Sequence, residues 1–99
     1  MEFAHIHKSL SEVTIDPKAA FTLVLHKANG AIETMDSNDT SFLNFEDHAI
    51  DKAMFAVKDY DDHCDVFHYG EEFGTAEYVD MTPNSFFSGM QVVFSTPYC

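Results

Sequence analysis

Alternating apolar and polar positions predict β-strands in the first third of the chain. Residues 3–7 alternate with a period of two, which places every second side chain on the same face of a strand. Residues 20–27 and 31–35 are rich in β-prone side chains and flank the dipeptide Asn29-Gly30. Asn-Gly between two such runs favours a tight hairpin, because both residues tolerate positive φ. The pattern predicts an N-terminal strand followed by a β-hairpin.

A helical period replaces this alternation between residues 45 and 58. The apolar residues that recur at the spacing of one helix face are Ala49, Ile50, Ala53, Met54 and Val57. Asn44 is predicted to cap the N-terminus, where acidic residues of the first turn suit the helix dipole. Asp47 and Asp51 fall on the opposite side. The segment is therefore expected to be an amphipathic helix with an acidic outer face.

Strand patterns return in the C-terminal part of the chain. Residues 64–69 and 75–81 are predicted to pair across a five-residue turn at 70–74. Residues 91–96 form a final apolar strand. A single helical turn is expected to begin at Thr82-Pro83, because proline is favoured at the first helical position.

These elements predict an α+β fold. One helix, at about residues 45–58, would pack on an antiparallel sheet of about five strands, and residues 1–99 would form a single domain. Hydrophobic residues make up 45% of the chain and include ten Phe, which suffices for a packed core. Short apolar runs and the absence of a secretory-signal pattern favour a cytoplasmic protein. Cys64 and Cys99 do not make a disulfide framework, although a bridge between them stays open.

The charge of the chain is concentrated in its middle. The sequence contains 17 acidic residues, five lysines and no arginine, and its formal net charge is −12. Residues 28–80 hold 14 of the acidic residues and two lysines, so they carry the entire excess. A concentrated anionic surface repels nucleic acid and anionic membranes and attracts cationic grooves. The charge map therefore favours a basic protein as the partner.

Most acidic candidates for partner binding lie in and before the second predicted hairpin. The hairpin is expected to bring them into one neighbourhood, where mutual repulsion costs stability unless the surface has a use. The alternative is an acidic surface without a binding role, which is solvated and keeps the protein soluble. Phe73 or the pair Phe86-Phe87, expected in exposed loops, would supply an apolar anchor. The candidate residues are Asp59, Asp61, Asp62, Asp65, Glu71, Glu72, Glu77 and Asp80, with Asp47, Asp51 and Phe73.

The sequence contains no specific catalytic or metal-binding signature. His63 and Cys64 would point to opposite faces of a strand, so they are not expected to form a nucleophilic pair. His5 and His7 would share a face, but the histidines belong to different elements, whereas zinc sites usually draw on close ligand pairs. A run starting at Asp36 has calcium-loop spacing without the loop's Gly and Glu, and ordinary turn chemistry explains it better. We therefore expect a non-enzymatic protein without metal or cofactor.

In size, acidity and single-domain α+β character, the chain resembles small phage-encoded inhibitors: anti-CRISPR and anti-restriction proteins that mimic DNA. This resemblance is one of size and charge. It implies an inhibitor, acting in the bacterial host cytoplasm, that occupies the basic groove of a CRISPR effector or restriction enzyme and blocks loading of DNA or RNA. Two alternatives stay open: an acidic immunity protein or antitoxin that neutralises a basic nuclease toxin, and an acidic adaptor subunit.

Overall fold

An antiparallel sheet carrying one α-helix forms the framework of the protein. The computed structural model describes residues 3–80 and 90–96, and within this part of the chain the sheet has six strands. In chain order the strands are β1 (His5–His7), β2 (Phe21–His26), β3 (Ile32–Asp36), β4 (His63–His68), β5 (Glu71–Asp80) and β6 (Met90–Ser95). They lie in the order β1-β3-β2-β4-β5-β6, and every neighbouring pair is antiparallel. The α+β prediction is confirmed, with six strands in place of about five.

The helix, α1 (Glu46–Ala56), packs on one face of the sheet through a row of small side chains. Ala49, Ala53 and Ala56 are buried in the same core as apolar residues of the central strands β2 and β4. Because a methyl group occupies little volume, the helix can approach the sheet closely, and the larger side chains of the sheet occupy the space between the two layers. The predicted apolar face of the helix is confirmed at these positions.

Both ends of α1 differ from the prediction. Asn44, the predicted N-cap, lies in a short 3-10 helix that precedes α1, and Phe45 occupies the N-cap position without a side-chain hydrogen bond. The helix ends at Ala56, because Val57 adopts an extended conformation with φ −80° and ψ 112°. The polar loop that follows is therefore longer than the sequence pattern indicates.

Strand alternation sorts the residues of the sheet onto a helix-covered face and a second face. Phe21, Leu23 and Leu25 of β2 point to the helix-covered face, where Met35 and Val66 are the cross-strand partners of Leu23. Leu23 and Val66 are fully buried, and burial of a side chain of this size contributes about 1.5–3 kcal/mol. The intervening residues of each strand lie on the second face.

The β4–β5 hairpin is tighter than predicted. Tyr69 and Gly70 join the two strands, and both have positive φ, at 50° and 82°. A two-residue turn with positive φ at both positions matches the right-handed twist of the flanking strands. The predicted five-residue turn at 70–74 is therefore wrong, and residues 71–74 belong to β5.

The predicted β2–β3 hairpin is confirmed, with a different loop geometry. The Lys27 N–H donates to the Ala31 carbonyl at 2.9 Å and closes a loop of residues 28–30. Gly30 has a φ of 93°, whereas Asn29 does not enter the positive region. A three-residue loop with glycine at the left-handed position is a common hairpin connection.

Some sequence-based expectations lie outside the described residues. These are the helical turn at Thr82-Pro83, the loop at Phe86-Phe87 and the state of Cys99. Cys64 is a free, buried cysteine. In residues 3–80 and 90–96, no helix combines the length and apolar character needed to span a membrane.

Candidate interaction surface

Most of the acidic residues that were predicted to form one cluster lie at the two ends of the β4–β5 hairpin. Asp59 and Asp61 precede β4, and Glu77 pairs with the first residue of that strand. Glu71 and Glu72 pair with its last two residues, next to the turn, and are named here the hairpin tip. The length of β4 separates the two groups by about 17 Å, at about 3.3 Å per residue. The prediction of a single neighbourhood is therefore wrong.

Asp62 is a buried structural residue of the loop between α1 and β4. Its side chain is 5% exposed, so it cannot contribute to a docking surface. The carboxylate accepts a hydrogen bond from the Ala28 N–H at 2.7 Å and one from the Lys58 N–H at 3.4 Å. These bonds connect the β2–β3 hairpin to the loop that follows α1. The carboxylate of Asp62 serves as a hydrogen-bond acceptor within the fold, and the sequence alone does not distinguish it from exposed Asp61.

Replacing Asp62 with alanine is expected to destabilise the protein by about 2 kcal/mol, because two backbone N–H groups then lose their buried acceptor. Urea denaturation followed by circular dichroism measures the effect. Asp61→Ala is the matched control: this carboxylate is exposed, and its loss should leave stability unchanged within about 0.5 kcal/mol. Equal effects of the two substitutions would contradict the structural role of Asp62.

Most of the other predicted carboxylates are exposed and form no ion pair with any described residue; they are Asp47, Asp51, Asp61, Glu71, Glu72 and Glu77. Asp59 is also exposed, and its carboxylate accepts a hydrogen bond from the Tyr60 N–H at 2.7 Å. Of Asp80, the structure shows only that it ends β5 opposite Met90. Within the described ranges, one lysine reaches a carboxylate, Lys27 with Glu33 at 4.0 Å. The surface charge is therefore largely uncompensated.

The outer side of α1 presents an aromatic ring within this acidic surface. Phe55 is 77% exposed and follows Asp51 by four residues and Asp47 by eight. Residues four apart on a helix are surface neighbours, with Cβ atoms about 5–6 Å apart, so these three side chains form a row that we name the helix ridge. The loop beyond it carries Asp59 and Asp61. An apolar anchor bordered by charge is typical of protein interfaces.

Exposure of the aromatic residues reverses two expectations from the sequence. Phenylalanine side chains are expected in the core by default, yet Phe55 and Phe45 are 77% and 64% exposed, because the alanine row of α1 faces the sheet instead. Phe73, expected in an exposed turn, lies in β5 and packs against the core, with its ring 5.8 Å from that of Phe21 and 5.9 Å from that of Phe94. A register shift between β4 and β5 leaves Phe73 without a cross-strand partner. Phe55 is therefore the better candidate anchor.

Asp65 is part of a polar cluster on the second face of the sheet. Its Oδ2 atom accepts a hydrogen bond from His26 Nε2 at 3.1 Å, and its Oδ1 atom accepts one from the Thr75 hydroxyl at 2.9 Å. The ring of His26 stacks on that of His63, with centroids 4.3 Å apart and planes inclined by 12°. These contacts occupy both oxygens of Asp65, so it differs from the unpaired acids around it.

Sequence reasoning missed His26 in this cluster. The spacing of His63 and Asp65, two residues apart on one strand, already places both side chains on the same face. His26 reaches them because β2 pairs with β4, with His26 opposite His63 and Val24 opposite Asp65. No local pattern predicts a pairing between strands separated by α1. A sequence signal for part of the cluster therefore existed, and tertiary structure completes it.

No protein-family model, curated protein or solved structure matches this chain.

Cys64 and the calcium-like run, two features with potential for chemistry, have structural explanations in the described residues. Burial raises the pKa of the Cys64 thiol far above its ordinary value, and the charge of Asp65 raises it further, so the reactive thiolate is scarce at neutral pH. His63 lies on the other face of β4, as predicted. In the calcium-like run, the Asp36 carboxylate accepts hydrogen bonds from the N–H groups of Asn38 at 2.9 Å and Asp39 at 3.2 Å. This is the turn chemistry expected from the sequence.

A small pocket opens near the end of α1. Its volume is about 50 Å³, and it is lined by Phe3, Leu25, Lys27, Glu33, Ala56 and Lys58. Sites for small organic ligands usually have volumes of about 300–1,000 Å³. The pocket therefore offers far less room than such a ligand needs, and the exposed acidic surface is the stronger candidate for function.

Proposed function

We propose that the protein is a non-enzymatic inhibitor that binds the basic nucleic-acid groove of a bacterial defence complex, of the CRISPR-effector or restriction type. The observation that carries this proposal is a net charge of −12 whose exposed carboxylates lack cationic partners among the described residues. Proteins that bind nucleic acid meet its phosphates with rows of Lys and Arg. An array of fixed carboxylates is complementary to such a row. When the protein occupies the Lys and Arg side chains of its partner, DNA or RNA can no longer be loaded.

The helix ridge and the loop that follows it form the proposed contact surface. Asp51 and Asp61 would engage arginine or lysine side chains, and arginine binds carboxylates through charge-assisted, often bidentate hydrogen bonds. Phe55 would enter an apolar recess of the partner and lengthen the lifetime of the complex. The charges mainly accelerate encounter by attracting the oppositely charged groove.

A competition assay tests this function. The protein is immobilised, its partner is captured from a bacterial lysate, and the purified partner is incubated with labelled duplex DNA or guide RNA and increasing amounts of the protein. We expect displacement of the nucleic acid, with an affinity that falls at least ~10-fold between ~50 and ~200 mM salt, because exposed charges are screened.

Two results would overturn the proposal. The first is a ternary complex in which the partner holds the protein and its nucleic acid together at saturating concentrations. The second is a partner that proves to be a nuclease toxin encoded beside the protein, which would assign the protein to the immunity class. The same acidic surface would serve that function, because toxin nucleases also bind nucleic acid through basic residues.

A further inference from the structure

The polar cluster on the second face contains three side chains suited to binding a metal ion. His26 and His63 are cross-strand partners on β2 and β4, and Asp65 lies two residues along β4 on the same face. The imidazole and carboxylate groups are half-buried, and one ligand atom from each residue lies within 4.8 Å of the other two. Two imidazoles and a carboxylate form a ligand set common in catalytic zinc sites.

The distances in the cluster are close to those of a coordination shell. Ligand atoms about 2.0–2.1 Å from a tetrahedral zinc ion lie about 3.3 Å from one another. His26 Nε2 and Asp65 Oδ2 are 3.1 Å apart, so this pair already has the required separation. The widest separation is at most 4.8 Å, so it must close by up to about 1.5 Å. The imidazole of His63 must also rotate about its side-chain bonds out of its stack on His26, so that both rings direct a nitrogen at the same ion.

Thr75 and Glu77 on the neighbouring strand β5 support the same interpretation. The Thr75 hydroxyl donates to Asp65 Oδ1 at 2.9 Å, which orients the carboxylate and leaves Oδ2 directed towards His26. Metal sites commonly hold a ligating carboxylate through such an outer hydrogen bond. Glu77 is exposed and lies opposite His63, so it adds negative charge beside the site.

We propose that His26, His63 and Asp65 bind one divalent transition-metal ion of the Zn²⁺ class. In the bound state the proton on Nε2 of His26 has moved to Nδ1 by exchange with water, so Nε2 of the neutral imidazole coordinates the ion. The two metal–ligand bonds replace the hydrogen bond between His26 and Asp65. Water occupies the fourth position, as in zinc sites with three protein ligands. The site lies on the second face, whereas the helix ridge belongs to α1 on the opposite face, so this inference is independent of the proposed function.

Calorimetric titration of the metal-free protein with ZnCl₂ tests the site. We expect one equivalent of Zn²⁺ to bind and the thermal midpoint to rise, because a ligand that binds the folded state stabilises it. His63→Gln and Asp65→Asn should each weaken binding at least ~10-fold. Thr75→Val, which keeps the shape and β-branching of the side chain, should weaken it about 10-fold through loss of the outer hydrogen bond.

His5→Asn is the matched control. His5 Nε2 lies 3.5 Å from Asp39 Oδ2, so it forms a second histidine–carboxylate pair on the same sheet, and its substitution should leave Zn²⁺ affinity unchanged. Two-dimensional NMR of the native protein provides a readout that needs no variant: Zn²⁺ should shift the imidazole signals of His26 and His63 and leave those of His48 in place. Absence of binding, shifts confined to other histidines, or native affinity in a folded His63→Gln protein would overturn the proposal.

Discussion

Reversing Asp51 and Asp61 to lysine is expected to weaken binding to the basic partner by at least ~100-fold, or about 2.7 kcal/mol. Each substitution removes an attraction and places a like charge against Lys or Arg of the groove, and such juxtapositions cost several kcal/mol. Both carboxylates are exposed and unpaired with any described residue, so the folded state should tolerate the change. Asp47 is left unchanged, because it lies in the first turn of α1, where its negative charge stabilises the helix by interacting with the helix dipole.

The matched control reverses the hairpin tip, Glu71→Lys with Glu72→Lys. Each reversal adds two units of charge, so both double variants move from the net charge of −12 to −8. Surface plasmon resonance at constant salt should show a loss in the first variant and a change within about 3-fold in the control, because the control lies outside the proposed contact surface. Equal losses would show that the overall field of the protein, instead of the helix ridge and its loop, determines affinity.

Substituting Gly74 with alanine is expected to destabilise the fold by about 2–3 kcal/mol, the usual cost of overpacking a filled core. A Cβ atom at this position would lie 2.5 Å from Cζ of Phe94 and 2.6 Å from the backbone oxygen of Ser95. The aromatic ring can rotate away, but the carbonyl belongs to β6, so the two strands must separate. For a domain of this size the thermal midpoint should fall by roughly 10–20 °C.

Gly30→Ala separates this steric effect from the general cost of replacing glycine. Gly30 has a φ of 93°, and a Cβ atom at this position would have no neighbour within 4 Å. Alanine there therefore adds backbone strain of about 1–2 kcal/mol without a steric clash. Differential scanning calorimetry should therefore rank Gly74→Ala as the more destabilising variant. Hydrogen exchange should also show lost protection along β6. The reverse order would argue against the close packing of β5 and β6.

The elements of the fold could be predicted because their patterns are local. The β-prone runs at residues 20–27 and 31–35 correspond to β2 and β3, and the alanine spacing corresponds to α1. The length of a turn was harder to predict, because Tyr69 adopts positive φ only where the flanking strands pair. The exposure of Phe55 was also hard to predict, because a large aromatic side chain is usually buried. In the folded protein the helix face with Ala49 and Ala53 packs on the sheet, and Phe55 lies on a different face.

The candidate sites depend on contacts between distant parts of the chain. Asp61 and Asp62 are adjacent and chemically identical, yet one is exposed and the other accepts hydrogen bonds from backbone groups as far away as Ala28. His26 joins Asp65 across 39 positions of sequence because β2 lies beside β4. Such pairings follow from how the whole sheet assembles, and no window of sequence contains them.

The sequence by itself determined the amount of charge and its confinement to residues 28–80, because net charge is a sum over residues and does not depend on conformation. It also determined the helix and most strands, through periodicities that follow from backbone geometry. Tertiary structure alone decided which carboxylates are free to meet a partner, which are buried as hydrogen-bond acceptors and which meet histidines. Burial and proximity are set by long-range strand pairing, which places the hairpin tip at one end of β4 and Asp61 beyond the other, with about 17 Å of strand between those ends.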